Sequence, residues 1–327
     1  MPRPLEEAVV VITGASSGIG RAAALRFARR GSSLALCARS RGPLEEVEDE
    51  CRRAGAGGVL ARALDVGDEE AVEGLAAAAV ERFGRIDVWV NNAATMAYGP
   101  FTEIPSEVFR GVIETNLMGQ VHGARAALRR FREQESGVLI NMSSVWGRVS
   151  SPQVSPYIVS KNAVRALSEC ISGELADAEG IAVATIVPQA VDTPIFEHAA
   201  NYGGRRVRPI PPIVAADEVA AGIEACAESP KREVNYGRAG RILETLYTLS
   251  PGLYRRFAHP AFVRGTMGAQ RLDPAPGNVL APTEPHAVDG HWRSRGRGTL
   301  RRALLGALAG GLVGLFGAKP PAARSGG

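Results

Sequence analysis

AVVVITGASSGIGRAAALRFARR, residues 8–30, decides the fold. Five apolar, mostly β-branched residues read as a strand, a glycine-rich turn follows Thr13, and the chain then enters an Ala-rich helical pattern without a spacer. The glycines fall as Gly14-x-x-x-Gly18-x-Gly20. Glycine permits a tight turn and a close approach of backbone to a bound group, and the start of a helix offers free N–H groups to an anion. Gly14, Ser16, Ser17, Gly18, Ile19 and Gly20 are therefore candidates to hold a pyrophosphate.

The same texture repeats along the chain. SLALC at 33–37, GVLARAL at 58–64, IDVWV at 86–90, GVLIN at 137–141 and IAVATIV at 181–187 are short apolar runs without strict polar alternation. Between them lie helical patterns near 18–30, 43–54, 68–83, 106–132, 156–178 and 216–228. Strands buried on both faces and joined by helices predict an α/β fold built on a doubly wound parallel sheet. One such domain is expected over residues 1–258. From 259 to 302 a Pro-, Gly- and Arg-rich texture predicts an exposed linker, and an apolar segment occupies 303–318.

With 45% hydrophobic and 22% charged residues the chain has the balance of a soluble globular protein. Its net charge of +4 is misleading, because the seven basic residues after Asp289 have no acidic counterpart and residues 1–289 carry −3. That distribution argues against a nucleic-acid surface on the body. Four scattered cysteines, Cys37, Cys51, Cys170 and Cys226, show no metal-ligand spacing and suit reduced thiols in the cytoplasm; no metal is expected. The N-terminus lacks the basic and apolar regions of a secretion signal.

At the end of the second strand the chain reads Leu36-Cys37-Ala38-Arg39-Ser40. An acidic residue there would bind a ribose hydroxyl, whereas the planar donor fork of Arg39, helped by Ser40, suits a 2′-phosphate and favours NADP(H). The bland alternative is a solvated loop arginine. Asp65-Val66 and Asn91-Asn92-Ala93 close the third and fourth strands, at the edge where open α/β sheets bind ligands.

Tyr157 and Lys161 are four residues apart behind Ser155-Pro156, which predicts a helix with Ser155 as N-cap and Pro156 first. Both then share one face, where a cation favours the phenolate and brings the phenol towards acid/base use. Thirteen residues earlier, Ser144 ends the fifth strand with a hydroxyl able to hold a carbonyl oxygen as charge develops.

Thr13 to Gly20, Asp65, Asn91 to Ala93, Asn116 in Thr115-Asn116-Leu117-Met118-Gly119, Ser144, Tyr157, Lys161 and Pro188 with Thr193 occur in the order and spacing of one family. On these residues, over about 180 positions, the chain resembles the short-chain dehydrogenase/reductase family. The resemblance implies a Rossmann-type domain that interconverts a carbonyl and a secondary alcohol, and a homo-oligomer. It implies Tyr157 as general acid/base, Lys161 on the nicotinamide ribose, Ser144 on the substrate oxygen and Asn116 holding a water relay behind Lys161. Asp65, Val66, Asn92 and Ala93 would flank the cofactor, with Pro188, Val191 and Thr193 at its nicotinamide end. Ala38-Arg39-Ser40 is similar to the NADP-using hydroxysteroid-type members. Two departures stand out: Gln189 and Ala94 occupy positions where the family usually carries glycine.

Met96, Tyr98, Trp146, Val149 and the segment from Pro194 to Pro212 are expected to line a substrate pocket for a bulky apolar ketone or alcohol. The segment reads either as a lid or as a plain surface loop. As a helix, residues 303–318 would span about 24 Å against a hydrocarbon core of about 30 Å, so the segment reads either as membrane-associated or as a loose or intersubunit-packed tail. Two other functions remain: a cofactor-binding redox sensor or scaffold, and a membrane-tethered lipid-modifying reductase.

Overall fold

A computed structural model describes residues 2–283 and 286–293. Seven parallel strands form the central sheet: β1 (Val9–Thr13), β2 (Ser33–Ala38), β3 (Gly58–Ala63), β4 (Val88–Asn91), β5 (Gly137–Met142), β6 (Ile181–Pro188) and β7 (Glu233–Tyr236). Their order across the sheet is β7-β6-β5-β4-β1-β2-β3. The chain therefore winds outward from β1 to one edge, then from β4 to the other, and leaves a crevice where the direction reverses.

The helices are α1 (Gly18–Arg29), α2 (Arg41–Ala54), α3 (Glu69–Phe83), α4 (Ser106–Ile113), α5 (Gly119–Gln134), α6 (Ser155–Glu174), α7 (Ala216–Glu228), α8 (Arg238–Leu249) and α9 (Pro251–Thr266). The missing alternation in the strands follows from how they are covered. Val10, Ile12, Leu34, Leu36 and Ile140 face Ala23, Phe27, Val47 and Ile223 of α1, α2 and α7, while Val11, Ala35, Trp89 and Leu139 face Leu75, Ala127 and Ile171 of α3, α5 and α6. Both faces of the sheet are core, so both parities along its inner strands are apolar, while the edge strands β3 and β7 are only partly buried.

Three differences from the sequence reading have physical causes. The helix expected at 106–132 is interrupted by a π-helical turn at Glu114–Met118, the kind of insertion that local propensity does not reveal. Helix α6 begins one residue early, with Val154 at the N-cap, and the Ser155 side chain makes no capping bond. Helix α9 runs across the boundary expected at 258/259. Residues 259–266 continue α9, and Met267–Arg271 pairs antiparallel with Arg205–Val207. Among the described residues beyond, Val279 and Trp292 are buried. Apolar residues at helical spacing, Leu243 and Tyr247, then Tyr254, Ala258 and Phe262, turn α8 and α9 inward despite their polar, proline-containing texture.

Residues 303–318 lie outside the described residues. Among the described ones no helix is long and apolar enough to cross a membrane.

Candidate active site

The glycine turn after β1 is set by close packing. Gly14 has φ +65, and a Cβ there would meet the Ala93 Cα at 2.7 Å. A Cβ on Gly20 would fall 2.2 Å from the Gly14 carbonyl oxygen and 2.5 Å from Asn92 Nδ2. Thr13 Oγ1 accepts from the N–H groups of Asn92 and Ala93 at 3.0 and 3.1 Å. Asn92 Nδ2 returns to the carbonyls of Thr13 and Gly14 at 2.9 and 3.1 Å. The ends of β1 and β4 are thus clamped together, and the Asn92 side chain serves as the brace.

Gly14, Ser16, Ser17, Gly18, Ile19, Arg39, Ser40, Asp65, Val66, Asn92, Ala93, Ser144, Tyr157, Lys161, Pro188, Val191 and Thr193 all line one cleft at the carboxyl ends of the strands. Gly20 lies just under it. Asn116 is fully buried behind the wall instead. Its Oδ1 accepts from Thr95 N at 2.7 Å, and its Nδ2 donates to the Thr95 carbonyl at 2.9 Å and to Ser160 Oγ at 3.1 Å. Placed on the π-helical turn, Asn116 ties the loop after β4 to the helix residue next to Lys161.

Sequence reasoning missed a covering segment. Gly18 N–H, the first donor of α1, bonds to the Ala287 carbonyl at 2.9 Å. Arg39 donates to the carbonyls of Asn278 and Val279, and Arg21 to that of His286 at 3.0 Å. Downstream, the buried Asp192 carboxylate accepts from Gly290, Trp292 and Arg293 N–H at 3.1, 2.8 and 3.1 Å. The signal was Asp192 itself, since a buried carboxylate at a strand end needs donors from elsewhere in the chain.

At the other end of the cleft, Tyr157 and Lys161 lie one turn apart on α6, and Lys161 Nζ is 5.6 Å from the phenol ring centroid. Lys161 donates to the Met142 carbonyl at 2.8 Å. Burial pushes the Tyr157 phenol up to about 12, against a hydrogen bond with Ser144 that lowers it. Burial also brings the Lys161 ammonium down to about 7. Burial disfavours both charged forms and so opposes the lowering that the sequence reading expects from a neighbouring cation. Ser144 Oγ also accepts from Trp146 N at 3.2 Å.

The whole cleft encloses about 270 Å³, and next to Tyr157 its lining becomes apolar. Met96, Trp146, Val149, Ile195, Phe196 and Ile210 line it as expected, and Leu243 and Phe262 from α8 and α9 are added. Tyr98 sits behind the lining, edge-on to Trp146 at 6.2 Å. The segment from Pro194 to Pro212 is anchored by parallel pairing of Ala200–Asn201 with Ala97–Tyr98 and by the Arg205–Val207 strand. Gln189 lies at the rim and donates to the Pro212 carbonyl at 2.9 Å. No cluster of His, Cys, Asp or Glu that could hold a metal occurs among the described residues.

Comparison with known proteins agrees with this geometry. The chain is 35% identical over 257 residues to the uncharacterized oxidoreductase YxnA of Bacillus subtilis (strain 168), covering 78% of this chain and 72% of that one. It is 35% identical over 188 residues to the NADPH-dependent pterin aldehyde reductase of Arabidopsis thaliana, covering 57% and 76%. A short chain dehydrogenase/reductase from Burkholderia phymatum, solved in complex with NAD, superposes with a TM-score of 0.67 at 29% identity over 75% of this chain and 94% of that one. The family profile for short chain dehydrogenase matches residues 8–202, the stretch that holds the glycine turn, Ser144, Tyr157 and Lys161, and the chain belongs to that family.

Proposed function

We propose that the protein is an NADP(H)-dependent oxidoreductase that interconverts a carbonyl and a secondary alcohol on a bulky apolar substrate. The observation that carries this reading is the meeting of Ser144, Tyr157 and Lys161 at the junction of a glycine-lined cleft and an apolar cavity.

The residues fit a dinucleotide. Gly14 and Gly18 leave a cradle that side chains would fill, the first N–H groups of α1 face it, and Arg39 stands at the end of β2. Gly18 N–H, now bonded to the Ala287 carbonyl, would help hold the pyrophosphate, and Arg39, now bonded to the Asn278 and Val279 carbonyls, would hold a 2′-phosphate. When bound, the nicotinamide supplies or accepts a hydride. Tyr157, neutral at physiological pH because burial holds its proton, gives that proton to the substrate oxygen in reduction and takes it back in oxidation. Ser144 donates to the same oxygen, and Lys161 orients the ribose. Asn116 positions the helix carrying Tyr157 and Lys161. The NADPH-dependent pterin reductase among the relatives supports the phosphate-bearing cofactor, and the family supports a homo-oligomer. The unbridged cysteines support a reducing, cytoplasmic setting.

The test is oxidation of NADPH against a panel of apolar ketones, aldehydes and steroids, with NADH alongside and Tyr157→Phe as control. Turnover with NADPH that disappears in the variant is expected. Turnover confined to small charged keto acids, or undiminished in Tyr157→Phe, overturns the reading.

A further inference from the structure

Helices α8 and α9, which wall the cavity, have two unlike faces. Their inner side chains Leu243, Tyr247, Tyr254, Ala258 and Phe262 pack with Val145, Trp146 and Val149, and Leu243 and Phe262 reach the cavity. Their outer face carries Ile242, Leu246, Leu249, Leu253 and Phe257, exposed by 69%, 36%, 79%, 51% and 63%. Nine large hydrophobic side chains are exposed among the described residues, and these five fall within sixteen consecutive positions. Their spacing of three and four residues puts them along one side of each helix. Single exposed apolar side chains are ordinary, but a continuous row marks a surface that is covered in use.

The charge around the row identifies the cover. Arg241, Arg255, Arg256 and Arg264 are exposed beside it. The one acidic residue of the two helices, Glu244, is half-buried and paired with Arg148. This contrasts with residues 1–289 as a whole, whose net charge is −3. A second copy of the chain is a poor partner, because a two-fold interface would set arginines against arginines without an acid between them. Apolar side chains flanked by arginines, on helices lying flat against the body, match the boundary between headgroups and acyl chains of an anionic bilayer.

We propose that the outer face of α8 and α9 docks the enzyme on an anionic membrane surface. Docking places the wall of the cavity against the hydrocarbon in which an apolar ketone dissolves. That last clause rests on the carbonyl–alcohol reading above, whereas docking itself does not.

The experiment is sedimentation of the full chain with vesicles of phosphatidylcholine alone or of equal parts phosphatidylcholine and phosphatidylglycerol. It compares the wild type, the triple variant Leu249→Glu, Leu253→Glu, Phe257→Glu, and the double variant Arg255→Gln, Arg256→Gln. All five positions are exposed, and coincident melting curves verify folding. The wild type should partition onto the mixed vesicles and leave them at high salt. The arginine variant should bind about thirtyfold more weakly, at roughly a factor of five for each charge, and the triple variant at least about a hundredfold more weakly. Equal binding of all three proteins would assign the association to another part of the chain and overturn the proposal. So would wild type that ignores both vesicles, or variants whose only change is from dimer to monomer in light scattering. None of these readouts involves turnover, so a failed docking claim and a failed assignment of the reaction are separable.

Discussion

The two ends of the cleft are built differently. The nucleotide end is made largely of backbone: glycines at positive φ and the carbonyls and N–H groups of strand ends, held together by the Thr13 and Asn92 side chains. The substrate end is made of side chains brought from separate places, namely Trp146 beyond β5, Phe196 and Ile210 from a long excursion, and Leu243 and Phe262 from α8 and α9. Backbone sites tolerate little change because the fold and the site are the same atoms. Side-chain sites can be recut while the sheet stays intact, which is how one fold serves many substrates.

Four substitutions probe that contrast, beginning where the chemistry joins the two ends. Tyr157→Phe should lower kcat/KM by about 10²–10⁴-fold while NADPH binding, read by fluorescence, stays unchanged. The pH profile gives the sign of the proton step. With the phenol held at about 12, its protonation does not change near neutrality, so any change in reduction there reports Lys161, brought down to about 7. Oxidation needs the phenolate and should rise about tenfold per pH unit between about pH 7 and 9. Gly20→Ala forces a Cβ into the Gly14 carbonyl oxygen and should cost about 3 kcal/mol, seen as a fall in Tm of about 4–5 °C together with lost cofactor binding. A stable, active Gly20→Ala would break the claim that the nucleotide end is rigid backbone. Arg39→Ala should lower the NADPH-to-NADH ratio of kcat/KM by about 10–100-fold, the worth of hydrogen bonds to a charged group. The smallest change is expected at the other end. Leu243→Ala should alter kcat/KM between bulky and small ketones by about tenfold, with stability within about 1 kcal/mol because the side chain is half-buried. If it melts the protein instead, the substrate end is as structural as the nucleotide end.

The sequence was most legible where local pattern and tertiary role coincide. The apolar runs at 8–12, 33–37 and 137–141 are strands because both of their faces are buried, and the candidate residues at their ends reached one cleft. It was least legible where a role depends on partners far along the chain. Nothing near Asn116 states that its amide is spent on Thr95 and Ser160, and nothing near Arg39 announces carbonyls 239 and 240 residues away. Lys161 was read from its neighbour, but its titration follows from burial, which spacing does not encode. The region from 272 to 293 looked like linker because it is held by backbone hydrogen bonds and two isolated anchors, Val279 and Trp292, and leaves no periodic trace.

That same region changes what an affinity measured on this protein means. Gly18 N–H and the Arg39 guanidinium already have hydrogen-bond partners within the chain, so a phosphate that claims them exchanges one set of bonds for another. An affinity for such a phosphate would then be a difference between two occupants of the same donors, and the Asp192 carboxylate, which holds the N–H groups of Gly290, Trp292 and Arg293, would belong to that balance.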